Sequence, residues 1–130
     1  MTEEVVILGN INIAPLIKAY NTFKKGLLEV NTELERDGAI QRFEFTYELS
    51  WKTMKRILTF KGIDANSPRD VFRESAKQKL IVDPKVWFDF LSKRNLTVHT
   101  YNQDCADEIF ASLSLFEKEV EQFIKTIKNL

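Results

Sequence analysis

Arg94, His99 and Tyr101 are the residues of this chain whose types and spacing allow chemistry. They share the stretch Arg94-Asn95-Leu96-Thr97-Val98-His99-Thr100-Tyr101, and His99 is the only histidine among 130 residues. An imidazole exchanges a proton near neutral pH, so it can act as general base or acid. Arg94, five positions earlier, stays protonated. Its planar fork of donors can hold a phosphate and stabilise charge growing on it. Tyr101 offers a nucleophile, a hydrogen-bond donor or a point of attachment. The trio therefore allows phosphate chemistry. It also fits a plain structural role, because a lone histidine near a helix end is often a capping or half-buried residue.

These groups need a helix that carries Arg94 and ends soon after it. Asp83-Pro84 is a helix start, with a capping acid and proline at the first position. Val86, Trp87, Phe90 and Leu91 give that helix its apolar face, and Phe88 reads as core beside them. Thr97, Val98 and Thr100 weaken helix propensity, so the helix is expected to end between Asn95 and Tyr101. Asn102 then caps a last helix whose core stripe is Ile109, Leu113, Phe116, Val120, Phe123 and Ile127. Lys125 and Lys128 suit its negative end.

Upstream, Pro15 and the apolar spacing of Leu16, Ala19, Tyr20, Phe23, Leu27 and Val30 predict a helix over about 12 to 33. Residues 38–61 alternate locally like a strand, yet the run is far too long for one. Read as a helix, it places Ile40, Phe43, Tyr47, Trp51, Met54 and Leu58 on one side. Phe45, Leu49 and Phe60 fall on the other, which suggests a central helix or one shared with a second chain. Glu44, Glu48, Lys52 and Arg56 form a row between the two sides, and Glu48 to Lys52 has the favourable order for an ion pair. This row fits a surface ladder or the lining of a site. Ser67-Pro68-Arg69-Asp70 starts another helix, expected to reach about Leu80 with Val71, Phe72 and Ala76 buried. Residues 1–9 carry a short apolar run, Val5 to Leu8. It fits a strand, a loose tail or a strap packed across the helices, and the strap is the expectation. Gly9-Asn10 and Gly62 read as turn residues. The whole is an all-α chain, an antiparallel bundle of four to five helices with a four-helix up-and-down core, in one domain over residues 1–130.

Composition narrows the function. Hydrophobic residues make up 44% and charged ones 29%, which suits a folded domain rather than a disordered tail. The 19 basic and 19 acidic residues cancel, which argues against a general electrostatic nucleic-acid binder but not against a small site for a few phosphates. Residues 42–79 hold nine Lys/Arg against five Asp/Glu, and residues 103–130 hold three Lys against six Asp/Glu. Opposite-sign halves can steer a partner or a second copy, or are simply solvated helix faces. Cys105 is alone, so neither a disulfide framework nor a structural zinc site is expected, and no cofactor is implied. No glycine-rich phosphate loop or paired-aspartate pattern is present, so the chain is not expected to transfer nucleotides itself. With no signal-peptide pattern and no span-length apolar stretch, a cytoplasmic setting away from membranes is expected.

The motif Arg94-Asn95, three residues, then His99-Thr100-Tyr101 resembles the signature of HEPN domains. The stretch Gln41-Arg42-Phe43-Glu44-Phe45-Thr46-Tyr47-Glu48-Leu49-Ser50-Trp51-Lys52 resembles the matching helix of one branch, the nucleotidyltransferase substrate-binding proteins. The likeness continues through Ser67-Pro68-Arg69 and Tyr101-Asn102 and covers about residues 10 to 125. It implies a helical bundle that partners a separately encoded minimal nucleotidyltransferase, with a homodimer inside a hetero-oligomer. It implies either a metal-independent endoribonuclease or a subunit that binds nucleotide or RNA. Arg94 and His99 would be catalytic in the first case, with Asn95 orienting the arginine or touching phosphate. In the second case the same residues would hold nucleotide phosphate, and Trp51 or Tyr101 could stack on a base. Glu48 and Lys52 would line the site. In related toxin–antitoxin pairs the tyrosine after the histidine receives adenylate groups, and Tyr101 matches that position. A plain helical interaction domain, with Arg94 and His99 bonded to carboxylates such as Glu48, is the non-catalytic alternative.

Overall fold

The computed structural model describes residues 4–130. The chain opens with a hairpin, β1 (Val6–Ile7) and β2 (Ile11–Asn12), paired antiparallel with Ile7 opposite Ile11. The intervening loop has positive φ at Leu8 (51°) and Gly9 (85°), so Gly9 is the turn residue its type suggests. Ile7, Ile11 and Ile13 are buried. The Asn12 carboxamide oxygen accepts from the Val5 and Ala14 amides at 3.1 and 3.0 Å, tying the hairpin to the first helix. The expected strap is thus a folded-back pair of strands packed on the core. Its first three residues lie outside the described ones.

Among the described residues six helices follow: α1 (Ala14–Leu28), α2 (Glu33–Phe60), α3 (Pro68–Lys77), α4 (Pro84–Leu96), α5 (Gln103–Ala111) and α6 (Leu113–Ile127). They form the expected all-α bundle. Phe116 of α6 is its centre, meeting Phe43 of α2 at 4.7 Å, Phe90 of α4 at 5.0 Å and Phe23 of α1 at 5.5 Å between ring centroids. All three contacts are edge-on, the arrangement that aromatic quadrupoles favour.

Four boundaries differ from expectation, each for a local reason. α1 stops at Leu28 rather than 33, and α2 starts at Glu33 rather than 38. Thr32 Oγ1 accepts from the Glu35 amide at 3.1 Å, while the Glu35 carboxylate accepts from the Asn31 amide at 3.1 Å. This near-reciprocal cap fixes the start and leaves Gly38 inside the helix. α3 ends at Lys77 rather than Leu80. Lys79 adopts φ 61°, and the Leu80 amide donates back to the Ser75 carbonyl at 2.9 Å, which folds buried Leu80 under the helix end. The single last helix expected after Asn102 is broken at Ser112, whose hydroxyl donates to the Ile109 carbonyl at 2.7 Å. The core stripe runs through the break in phase, with every residue from Ile109 to Ile127 in it buried.

The long helix α2 also has the expected second side. Phe45 and Phe60 are 61% and 55% exposed, while Leu49 is half-buried. The first side is buried except for Trp51, which is half-buried. Among the described residues no helix is long and apolar enough to cross a membrane.

Candidate functional site at the end of α4

α4 is anchored by buried Trp87 and Phe90, and its start is capped by Asp83, whose carboxylate accepts from the Lys85 amide at 2.9 Å. After Leu96 the backbone tightens into one 3-10 turn, Thr97–His99. Thr97 is buried, and its hydroxyl donates to the Arg94 carbonyl at 2.7 Å, closing the helix end. On the far side, the Asn102 amide donates to the His99 carbonyl at 2.9 Å. The Asn102 side chain accepts from the Asp104 and Cys105 amides, capping α5 as expected. His99 is therefore held by its backbone between two fixed helix ends while its ring stays exposed.

Arg94 projects toward α2. Its Nε lies 3.3 Å from Glu48 Oε1, though the N–H is not aligned for a hydrogen bond. The other Glu48 oxygen accepts from Trp51 Nε1 at 3.1 Å and lies 4.0 Å from Lys52 Nζ. Glu48 thus draws Arg94, Trp51 and Lys52 together. Among the described residues the terminal guanidinium nitrogens of Arg94 have no ion pair or hydrogen bond, so the outer edge of its fork is free.

Tyr101 is 85% exposed, and its hydroxyl lies 3.3 Å from His99 Nδ1 with the rings edge-on at 5.8 Å. Which atom donates depends on the imidazole tautomer. Among the described residues no hydrogen bond or ion pair joins His99 to Arg94 or to Glu48, so the carboxylate pairing foreseen for both basic residues holds for Arg94 alone. Asn95 is exposed, with no side-chain hydrogen bond among the described residues. Trp51 is half-buried with its indole N–H bonded to Glu48, so Tyr101 is the more exposed ring for stacking.

Three further residues near this site had no role assigned from their types. Tyr47 is 1% exposed, and its hydroxyl has no partner among the described residues. Burial pushes its phenol well above the ordinary range and the Glu48 charge adds to this, while Arg94 and Arg69 act in the opposite sense. The group therefore stays protonated and lies within the fields of both arginines. Arg69 and Arg73 of α3 both sit over the Phe88 ring, at 5.3 and 5.2 Å from its centroid. Phe88 is half-buried under them rather than plain core. Their i, i+4 spacing on a helix was the available signal.

The fold is that of solved relatives. A crystal structure from Thermus thermophilus matches 86% of this chain and 98% of its own, with TM-score 0.81 and 35% identity. A Haemophilus influenzae structure, described as revealing the fold of a substrate-binding domain of a nucleotidyltransferase, matches 87% and 96% with TM-score 0.79 and 29% identity. Residues 11–129 match the family model for nucleotidyltransferase substrate binding protein-like chains, and the chain belongs to that family. It is also 40% identical over 97 residues to a probable ribonuclease HepT from Haemophilus influenzae. That match covers 71% of this chain and 66% of the relative, just under two thirds of the relative's length.

Proposed function

We propose that this chain is the helical partner of a separately encoded minimal nucleotidyltransferase, and that it is an RNA-cleaving toxin of HEPN type silenced by adenylation of Tyr101. The observation that carries this is the exposed His99–Tyr101 pair in the turn that follows α4, the helix whose last turn holds an arginine with a free outer fork. Family membership and the likeness to a probable ribonuclease support it.

In the cleavage step, the His99 imidazole takes the proton of an RNA 2′-hydroxyl. The 2′-oxygen attacks the adjacent phosphorus, and the bond from phosphorus to the 5′-oxygen breaks. The leaving oxygen takes a proton, and the products are a 2′,3′-cyclic phosphate and a 5′-hydroxyl. Arg94 stabilises the charge that grows on the non-bridging oxygens, and Glu48 fixes its guanidinium through the Nε edge. Asn95, one residue on, orients the arginine or contacts phosphate. One imidazole does not serve both ends of the reaction at once. A second copy supplies the acid in a homodimer, for which the exposed Phe45 and Phe60 give an apolar surface.

In the silencing step, the Tyr101 oxygen attacks the α-phosphorus of ATP in the partner's active site and pyrophosphate leaves. The new phosphodiester then lies against His99 and within reach of Arg94, which competes with RNA for both. Intact mass of the chain after incubation with its nucleotidyltransferase and ATP tests this. We expect adenylate additions on Tyr101 with loss of cleavage. A Tyr101→Phe chain that gains adenylate at unchanged yield contradicts the assigned acceptor.

A second reading, a nucleotide-binding subunit without cleavage, is supported by the substrate-binding family and by the free outer edge of the Arg94 fork. In that reading Arg94, His99, Asn95 and Lys52 hold phosphate only. Nucleotide binding with neither modification nor cleavage is its expected outcome in the same experiment.

A further inference from the structure

Arg69 and Arg73 stand one turn apart on α3, and both guanidinium groups lie over the single ring of Phe88 on α4. Two cations gathered on one ring repel each other, so the arrangement is favourable when carboxylates or a bound anion offset them. Arg73 pairs with Asp70 at 3.1 Å, while Arg69 has no carboxylate partner among the described residues. Both are exposed. The ring that holds them belongs to the helix that ends in the candidate site. Phe88 and Asn95 are seven residues apart and share one stripe of α4, about 10 Å along the axis. Between α3 and Arg94 lies Tyr47, whose ring meets Phe72 at 6.2 Å; Phe72 in turn meets Phe88 at 6.3 Å. The Tyr47 hydroxyl is buried and unpartnered there, and Glu48 is already engaged by Arg94, Trp51 and Lys52. Among the described residues, the ion pairs of Arg69, Arg73, Arg94 and Lys52 thus involve only Glu48 and Asp70.

We propose that the Arg69–Arg73 pair on Phe88 is a second phosphate-gripping subsite, which holds single-stranded RNA beside the Arg94–His99 centre. The ring holds the two guanidinium groups near one another in advance, which lowers the side-chain freedom lost when they meet the strand. The subsite grips phosphates away from the scissile one and takes no part in the chemistry. It deepens the ribonuclease reading and rests on it for the identity of the strand.

The competing place for a strand is a cleft of about 330 Å³ at the hairpin, lined by Lys55, Arg56 and exposed Phe60. Removing the same two charges from each place separates local grip from general attraction. The probe is a fluorescent single-stranded RNA with every 2′-hydroxyl methylated, which binds but is not cut. Its affinity is measured against salt concentration for the full chain. For Arg69→Gln/Arg73→Gln we expect affinity to fall about tenfold, with the salt slope reduced by roughly 0.7 to 1.4 as one or two phosphate contacts are lost. For Lys55→Gln/Arg56→Gln we expect a change within about twofold. Unchanged affinity in the first variant, equal losses in both, or no binding by the parent chain each overturns the subsite. An unmethylated strand run in parallel separates the two readings. If the parent cuts it while the Arg69/Arg73 variant binds and cuts normally, the subsite fails and the ribonuclease stands. If the parent does not cut but affinity still depends on Arg69 and Arg73, the grip stands and catalysis fails.

Discussion

Arg36 and Arg94 lie on different helices and are paired to different extents. The Arg36 side chain is 11% exposed and reaches three carboxylates: Asp107 at 3.1 Å, Asp37 at 3.4 Å and Glu33 at 3.7 Å. It joins the start of α2 to α5, and both of its terminal nitrogens are engaged. The Arg94 side chain is 36% exposed and meets one carboxylate, on the Nε edge only. The same contrast separates two tyrosines. Tyr20 is buried, with its hydroxyl 2.7 Å from Glu117 and 2.8 Å from Glu121, and Lys24 stands beside both acids. Tyr101 is exposed, and its hydroxyl meets only the one histidine among the described residues. An arginine or tyrosine surrounded by partners has most of its hydrogen-bonding capacity spent inside the fold; for Arg36 only the buried Nε is left over. One left half-satisfied at a helix end has capacity left over, and the proposed function draws on it.

The largest effect we expect is on cleavage. Arg94→Ala and His99→Ala should each lower it by roughly 10²- to 10⁴-fold, the range for loss of a general acid–base group or a charge-stabilising donor. Thermal unfolding of both should stay within a few degrees of the parent, since neither side chain is buried. The reverse should hold for Arg36→Ala. It should destabilise the fold by about 1–2 kcal/mol in chemical denaturation, through lost hydrogen-bonded ion pairs and lost packing, while cleavage per folded molecule is unchanged. Equal effects of both arginines on stability would erase the contrast.

A smaller effect sharpens the tyrosine pair. The hydrogen bond from Tyr20 holds the Glu121 carboxyl below its ordinary value, with Lys125 adding to this. A carboxyl depressed in the folded state contributes stability above its unfolded value, and that contribution is lost as pH falls through the folded value. Tyr20→Phe should therefore flatten the fall of stability over roughly pH 5 to 3, besides lowering the midpoint slightly at neutral pH. Tyr101→Phe should change neither.

Much of this architecture was legible. Pro84 and Pro68 behind capping Asp83 and Ser67, the cap at Asn102 and the apolar stripe of α6 each arise from local chemistry and stood in the chain as strong signals. The Ser112 break did not, because the stripe keeps its spacing through the break and periodicity is blind to a backbone that tightens for one residue. The N-terminal hairpin was ambiguous because a run from Val5 to Leu8 is too short to show a period. In the site, the Arg94–Asn95–His99–Tyr101 spacing pointed to this helix end, where His99 and Tyr101 meet and Arg94 turns to Glu48 instead. That Glu48 would engage Arg94 and not His99 depends on how α2 crosses α4, which no local pattern records. Phe88 read as core because an aromatic on an apolar face usually is. What sits on it comes from another helix.

The most direct measurement is cleavage of a single-stranded RNA by the purified chain in excess chelator, beside the Arg94→Ala/His99→Ala double variant prepared identically. We expect the parent to cut without divalent metal, leaving cyclic phosphate and 5′-hydroxyl ends, and the folded double variant to be inactive. Cleavage that survives in the double variant, or that vanishes from the parent on chelation, would contradict a metal-independent ribonuclease centred on Arg94 and His99.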